Sequence, residues 1–174
     1  MGTDKALLEL EGLPLILRAT TAAAAVCGFV SLVGDPAKYA SLGLTVVPDH
    51  FPGAGPGAGI EAALRATTAD WNLILACDMP ALSAAILETL FPRDAMADCV
   101  LPQYPDGKVE PLCAVYHRRC HPHIRAALEQ GTRKVTSVLD GLAIRYVPVT
   151  SEDPFTNLNT PEDLRRYQLG QRHG

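Results

Sequence analysis

The sequence has no Lys/Arg run long enough to follow a phosphate backbone, no basic segment leading into an apolar one at its start, and no bilayer-length apolar stretch. The first absence disfavours duplex binding, because affinity for nucleic acid comes largely from clustered cations on phosphates. With 15 basic against 19 acidic residues and a formal charge of −4, a polyanionic ligand must be met locally, by a metal or a few placed cations. The other two absences exclude a signal peptide and a membrane span, since the apolar-leaning stretch 22–33 is broken by Gly28. A cytoplasmic protein with neither nucleic-acid nor membrane partners is expected.

Paired cysteines are missing too. The five present (Cys27, Cys77, Cys99, Cys113, Cys120) are odd in number and scattered in mostly apolar surroundings, which suits free thiols in a reducing compartment. Cys120, His121 and His123, with Cys113 and His117 upstream, lack the second half of a zinc motif. There is no GxSxG elbow, GxxxxGK[ST] phosphate loop or GxGxxG fingerprint, which removes the commonest hydrolase, kinase and dehydrogenase readings.

What is present is ordinary for a globular domain: 174 residues, 48% hydrophobic and 20% charged, without repeat, low-complexity tract or linker. Strand-length apolar runs at 28–33, 44–47, 71–77, 99–101, 112–116 and 144–149 alternate with helical segments. These lie at 13–26, 37–41, 59–67, 84–90, 122–129 and 134–139, and Thr160-Pro161-Glu162-Asp163 starts a last helix. Ser83 is placed to cap the helix at 84–90. Such alternation predicts a single α/β domain with a largely parallel sheet covered on both faces. Ligands of these sheets bind beyond the carboxyl ends of the strands. Asp49 and Asp78 fall at two of those ends.

Asp78 follows the clearest buried strand, WNLILAC, and precedes a proline turn. A carboxylate on the rim of a sheet suits Mg²⁺ held against phosphate oxygens, and it equally suits a turn acid capping local amides. Asp49 carries the same two readings. Gly55-Pro56-Gly57-Ala58-Gly59 exposes backbone amides before a helix, where a base or phosphate can come close. Lys5 is an isolated cation in GTDKAL; Glu110-Pro111-Leu112 and Arg133-Lys134 enter a strand and a helix. Asn157 and Asn159 alternate around Leu158, either to contact ligand or to hold a turn.

Taken in order, MGTDKALLELEGLPLI, VVPD, GPGAGIEAAL, ILACDMPAL, EPLCAVY, GTRKV and DPFTNLNTPEDL resemble the molybdenum cofactor guanylyltransferases over residues 1–167. The resemblance implies a three-layer Rossmann-like nucleotidyltransferase fold with a mostly parallel mixed sheet. It also implies transfer of GMP from GTP to a molybdopterin-type cofactor with release of pyrophosphate. Carried over by position, Lys5 contacts the GTP phosphates, Asp49 contacts the nucleotide, and Asp78 binds both Mg²⁺ and nucleotide. Gly55, Gly57 and Gly59 line the nucleotide pocket, and Arg133, Lys134, Asn157 and Asn159 are candidates for contact with the anionic pterin. Candidate protein partners are molybdenum-cofactor insertion proteins or acceptor enzymes.

Such relatives begin with a strand and a glycine-rich loop of the form LAGGxSxRMG, of which Met1-Gly2 resembles the last two residues. A first strand and most of that loop are therefore expected to be missing from the single nucleotidyltransferase domain at 1–174, leaving neighbouring strands short of a ladder partner. Two other readings stay open: a cytidylyltransferase using CTP, and a non-catalytic relative that binds nucleotide or cofactor.

Overall fold

A computed structural model describes residues 4–92, 96–150 and 153–171 of the chain. The two ends of its sheet system are built differently. Strands β3 (Ser31–Val33) and β4 (Thr45–Val47) pair in parallel as one small sheet. Strands β5 (Trp71–Leu75), β6 (Cys99–Gln103), β7 (Cys113–His117) and β8 (Ile144–Pro148) form a second sheet in the order β5-β7-β6-β8. There β7 runs antiparallel to both β5 and β6 while β8 is parallel to β6, so β7 is the one reversed strand. The sheet is mixed, as expected.

Side-chain alternation puts a core on each face. Ala114 and Tyr116 of β7, with Cys99 and Leu101 of β6, pack under helices α3 (Pro56–Ala66), α5 (His121–Glu129) and α6 (Val135–Val138). Cys113 and Val115 point the other way. They meet Ala22 of α1 (Leu15–Ala24), Leu87 of α4 (Ala84–Glu88) and Phe155. Period-two alternation with apolar residues on both faces is what a sheet sandwiched between helical layers requires. The buried Tyr116 hydroxyl donates to Pro111 O at 2.8 Å, so its polar atom carries no desolvation debt.

Helix α7 (Pro161–Gln171) starts where the sequence predicts. The Asp163 amide donates to the Thr160 hydroxyl at 3.0 Å, and Asp163 Oδ2 accepts the Asn159 and Thr160 amides at 3.1 and 2.9 Å. Ser83 occupies the cap position of α4 in extended backbone, without a side-chain capping bond.

Several boundaries differ from the sequence expectation, three of them at element starts. The helix expected over 13–26 begins at Leu15, because β2 (Leu13–Pro14) pairs with β1 (Glu9–Leu10) across Glu11 and Gly12. Both turn residues have positive φ, 55° and 77°, the mark of a tight two-residue hairpin. The strand expected over 28–33 is ordered as strand only from Ser31. The helix expected from Gly59 starts three residues earlier, with Pro56 in its first turn.

All five cysteines are free. Burial pushes the thiols of Cys99, Cys113 and Cys120 up to about 12, which leaves them protonated and inert. The Cys/His cluster is engaged structurally: Cys120 Sγ donates to Asp98 O at 3.1 Å, and His121 Nε2 lies 2.8 Å from Glu61 Oε1. Among the described residues no helix is long and apolar enough to cross a membrane.

Candidate active site

Three of the residues singled out above meet at the carboxyl end of β5. The strand carries the chain past Leu75, and Ala76 N donates to Leu112 O at 2.7 Å, fixing the exit toward Asp78. Asp78 O then accepts the amide of Leu158 at 2.8 Å, which docks the Asn157–Asn159 loop on the same rim. Leu158 itself is buried with Leu10 and Leu15. From the opposite side, a short 3-10 turn at Lys5–Leu7 presents Lys5. Its Nζ donates to Asn159 Oδ1 at 2.9 Å and lies 3.4 Å from Asp78 Oδ2. Residues separated by 73 and 154 positions in sequence therefore form one constellation.

Asp78 is the center of it. Its side chain is only 20% exposed, and Oδ1 is buried without a hydrogen-bond partner among the described residues. A buried carboxylate oxygen lacking a donor is costly unless something else satisfies it. A small hard cation does so, and Mg²⁺ commonly takes one or two carboxylates from a protein and the rest of its shell from water and phosphate oxygens. Among the described residues no cluster of three metal-binding side chains exists. The site thus fits a metal shared with a phosphate ligand and not an all-protein cage.

The glycine segment is a second group. Gly55 has φ 78° and ψ −167°, a conformation open essentially only to glycine. A Cβ there would also stand 3.2 Å from the carbonyl oxygen of Arg133. Gly57 is buried, and a Cβ on it would press on Val138 and Leu128 at 3.3 and 3.4 Å. Gly59, in the first turns of α3, has open space where a Cβ would stand. Gly55 alone is therefore loop, while Gly57 and Gly59 belong to the helix start. The backbone of the Arg133-Lys134 segment packs on this start with both side chains exposed.

Other candidate residues make contacts of their own. Asp49 ends β4 as a turn acid, its Oδ1 accepting the Phe51 amide at 2.7 Å. Arg65 braces that turn by donating to Pro48 O at 2.9 Å. Glu110 turns inward and pairs with Lys108 Nζ at 2.9 Å. Asn157 is half-buried on the docked loop. Sequence reasoning passed over Asp4, whose carboxylate caps the turn bearing Lys5. An Asp one residue ahead of Lys5 was the available signal.

Residues 1–145 match the family model described as MobA-like NTP transferase domain. The chain is 36% identical over 181 residues to the Synechococcus elongatus protein named probable molybdenum cofactor guanylyltransferase, covering 97% of this chain and 92% of that one. It is 31% identical to the molybdenum cofactor guanylyltransferase of Desulfosudis oleivorans, over 99% of this chain and 90% of the relative. The crystal structure of molybdopterin-guanine dinucleotide biosynthesis protein A from Archaeoglobus fulgidus superposes with a TM-score of 0.81 at 28% identity, covering 99% of this chain and 93% of that one.

Proposed function

This chain belongs to the MobA-like NTP transferase family, and from that premise we propose that it transfers GMP from GTP to a molybdopterin-type molybdenum cofactor, releasing pyrophosphate. The observation that carries the reading is the convergence of Lys5, Asp78 and Asn159 at the carboxyl end of β5, with one Asp78 oxygen left for a cation.

In this reading the acceptor's phosphate oxygen attacks the α-phosphorus of GTP. A new P–O bond forms, the bond to the α–β bridging oxygen breaks, and its electron pair leaves on pyrophosphate. The attacking phosphate is already ionised near neutral pH, so no general base is required, and catalysis reduces to alignment and charge neutralisation. Asp78 would hold Mg²⁺, which would supply Lewis-acid neutralisation of the phosphates. Lys5 moves its ammonium from Asp78 and Asn159 to the phosphate oxygens. The α3 start, with Gly55, Gly57 and Gly59, faces the nucleotide with the positive end of the helix. Asp49 contacts the nucleotide from the adjacent turn. Arg133, Lys134, Asn157 and Asn159 face the acceptor side, where an anionic pterin needs cations and amides. The reaction is placed in the cytoplasm, with insertion proteins or acceptor molybdoenzymes taking the product.

We also propose that the interval between β3 and β5 takes one more strand of this single domain. The facing edges of β3 and β5 are paired by no described strand, while α3 packs against β3, β4 and β5 together. All five residues of β5 are half-exposed although four of them are apolar, whereas four of the five in β7 are buried. Hydrogen exchange tests this. Alternate amides of Trp71–Leu75 should exchange fast in this chain and slowly in a version extended at its start, and equal rates in both would remove the strand.

The functional reading is tested by the identity of the nucleotide consumed. With molybdopterin as acceptor, GTP should yield pyrophosphate and a guanylylated cofactor, and CTP should not; consumption of CTP alone would make the chain a cytidylyltransferase.

A further inference from the structure

We propose that Asp4 is a positioning residue for Lys5, tied down in turn by Lys38 and Tyr39 of α2 (Pro36–Tyr39). The proposal rests on the reading of Lys5 as the phosphate-contacting cation. Asp4 stands just outside the 3-10 turn in extended backbone, and its Oδ1 accepts the amide of Ala6 at 3.1 Å. That bond caps the turn from which Lys5 projects. The other oxygen, Oδ2, accepts from both Lys38 Nζ and Tyr39 Oη at 2.9 Å. One carboxylate thereby fastens the Lys5 turn to a helix more than thirty residues further along.

The anchor is itself held. Asp35 caps α2 by accepting the Ala37 amide at 2.9 Å. Tyr39 reaches Asp4 by lying across Gly34, where a Cβ would stand 2.7 Å from the tyrosine ring. Tyr39 also packs at the edge of the cluster formed by Ala6, Ile16 and Leu32. The Lys38 ammonium, first among the causes, holds the Asp4 carboxyl below its ordinary range. Burial, followed by the bond to Asp4, pushes the Tyr39 hydroxyl up to about 12. Carboxylate, ammonium and phenol thus keep one charge pattern through the neutral range.

The consequence concerns Lys5. A lysine stem has four rotatable bonds, so its ammonium is placed only as well as the backbone that bears it. Asn159 and Asp78 hold the tip in the free protein, but transfer requires the tip to leave them for phosphate. At that moment Asp4, Lys38 and Tyr39 are what keep the stem aimed into the site.

The test is a double-mutant cycle of Asp4→Ala and Lys5→Ala, read as kcat/KM for GTP. A second readout is the rate at which acetic anhydride acylates Lys5, with Lys108 and Lys134 as internal references. Asp4→Ala should lower kcat/KM about tenfold when Lys5 is present, the scale set by small misplacements of a reacting group. In the Lys5→Ala background the same change should cost less than about twofold, because the two act through one another. Acylation of Lys5 should quicken in Asp4→Ala relative to Lys134. Asp4→Asn keeps the capping oxygen but turns an amide NH2 toward the Lys38 ammonium, so it should recover only part of the loss, and Tyr39→Phe should move both readouts the same way by less. Equal losses in both Lys5 backgrounds, or unchanged acylation in folded Asp4→Ala and Tyr39→Phe proteins, would overturn the proposal. Acylation needs no turnover, so a chain that ignores GTP yet shows faster Lys5 labelling keeps the brace and sinks the functional reading instead.

Discussion

Asp78→Ala should remove GMP transfer almost entirely while the protein stays folded. The carboxylate sits just beyond the end of β5, with one oxygen lacking a partner among the described residues and the other 3.4 Å from Lys5. Nothing in the packing depends on those oxygens, because the loop contact at this residue is made by its backbone carbonyl to Leu158 N. Relief of an unsatisfied buried oxygen should offset the lost contact with Lys5, so the unfolding free energy from urea melts should change by no more than about 1 kcal/mol. Activity depends on the same oxygens for charge neutralisation, and kcat/KM should fall by at least about 10³-fold. Asp78→Asn, which keeps the shape, should do little better, since an amide is a poor ligand for a small hard cation. Steady-state turnover beside urea melts decides the matter: Mg²⁺-dependent activity retained within tenfold would remove Asp78 from the metal.

Lys5→Met should have the next largest effect, a loss of about 10²-fold in kcat/KM with the fold intact. Its side chain is 44% exposed and its bonds to Asp78 and Asn159 are at the rim, so the ion pair contributes little stability. The ammonium matters once triphosphate is bound, when it faces a concentrated negative charge that the protein's own net charge of −4 does not attract. Lys5→Arg should recover only part, because a planar guanidinium is bulkier and differently aimed than a point ammonium. A Lys5→Met protein with unaltered kcat/KM would leave the triphosphate to other cations.

Much of this was legible before any coordinates. Asp78 stood out because a mostly apolar run ending in a polar turn reads as a strand with an acid beyond its end; the strand is there, although its five residues are half-exposed and not buried. The Thr160 cap was equally plain, since its chemistry is local. What sequence could not supply was contact between distant segments: Lys5 with Asn159 across 154 positions, or the docking of Leu158 on the Asp78 carbonyl. Periodicity says nothing about such meetings. The Glu11-Gly12 turn was missed because a two-residue ladder leaves no periodic signal. The early start of α3 was missed because Gly57 and Gly59 read as loop, when Pro56 and the left-handed Gly55 set the boundary. Asp49 shows the opposite case: its rim position was legible, and the structure gives its oxygen to the Phe51 amide.

The most direct test of a metal-dependent guanylyl transfer centered on Asp78 follows α-labelled GTP in the presence of molybdopterin, with and without Mg²⁺, against CTP and ATP in parallel. Label should enter the cofactor only from GTP and only with Mg²⁺, with one pyrophosphate released for each GMP transferred. Label entering from CTP in preference to GTP, or equal transfer with Mg²⁺ chelated away, would contradict it.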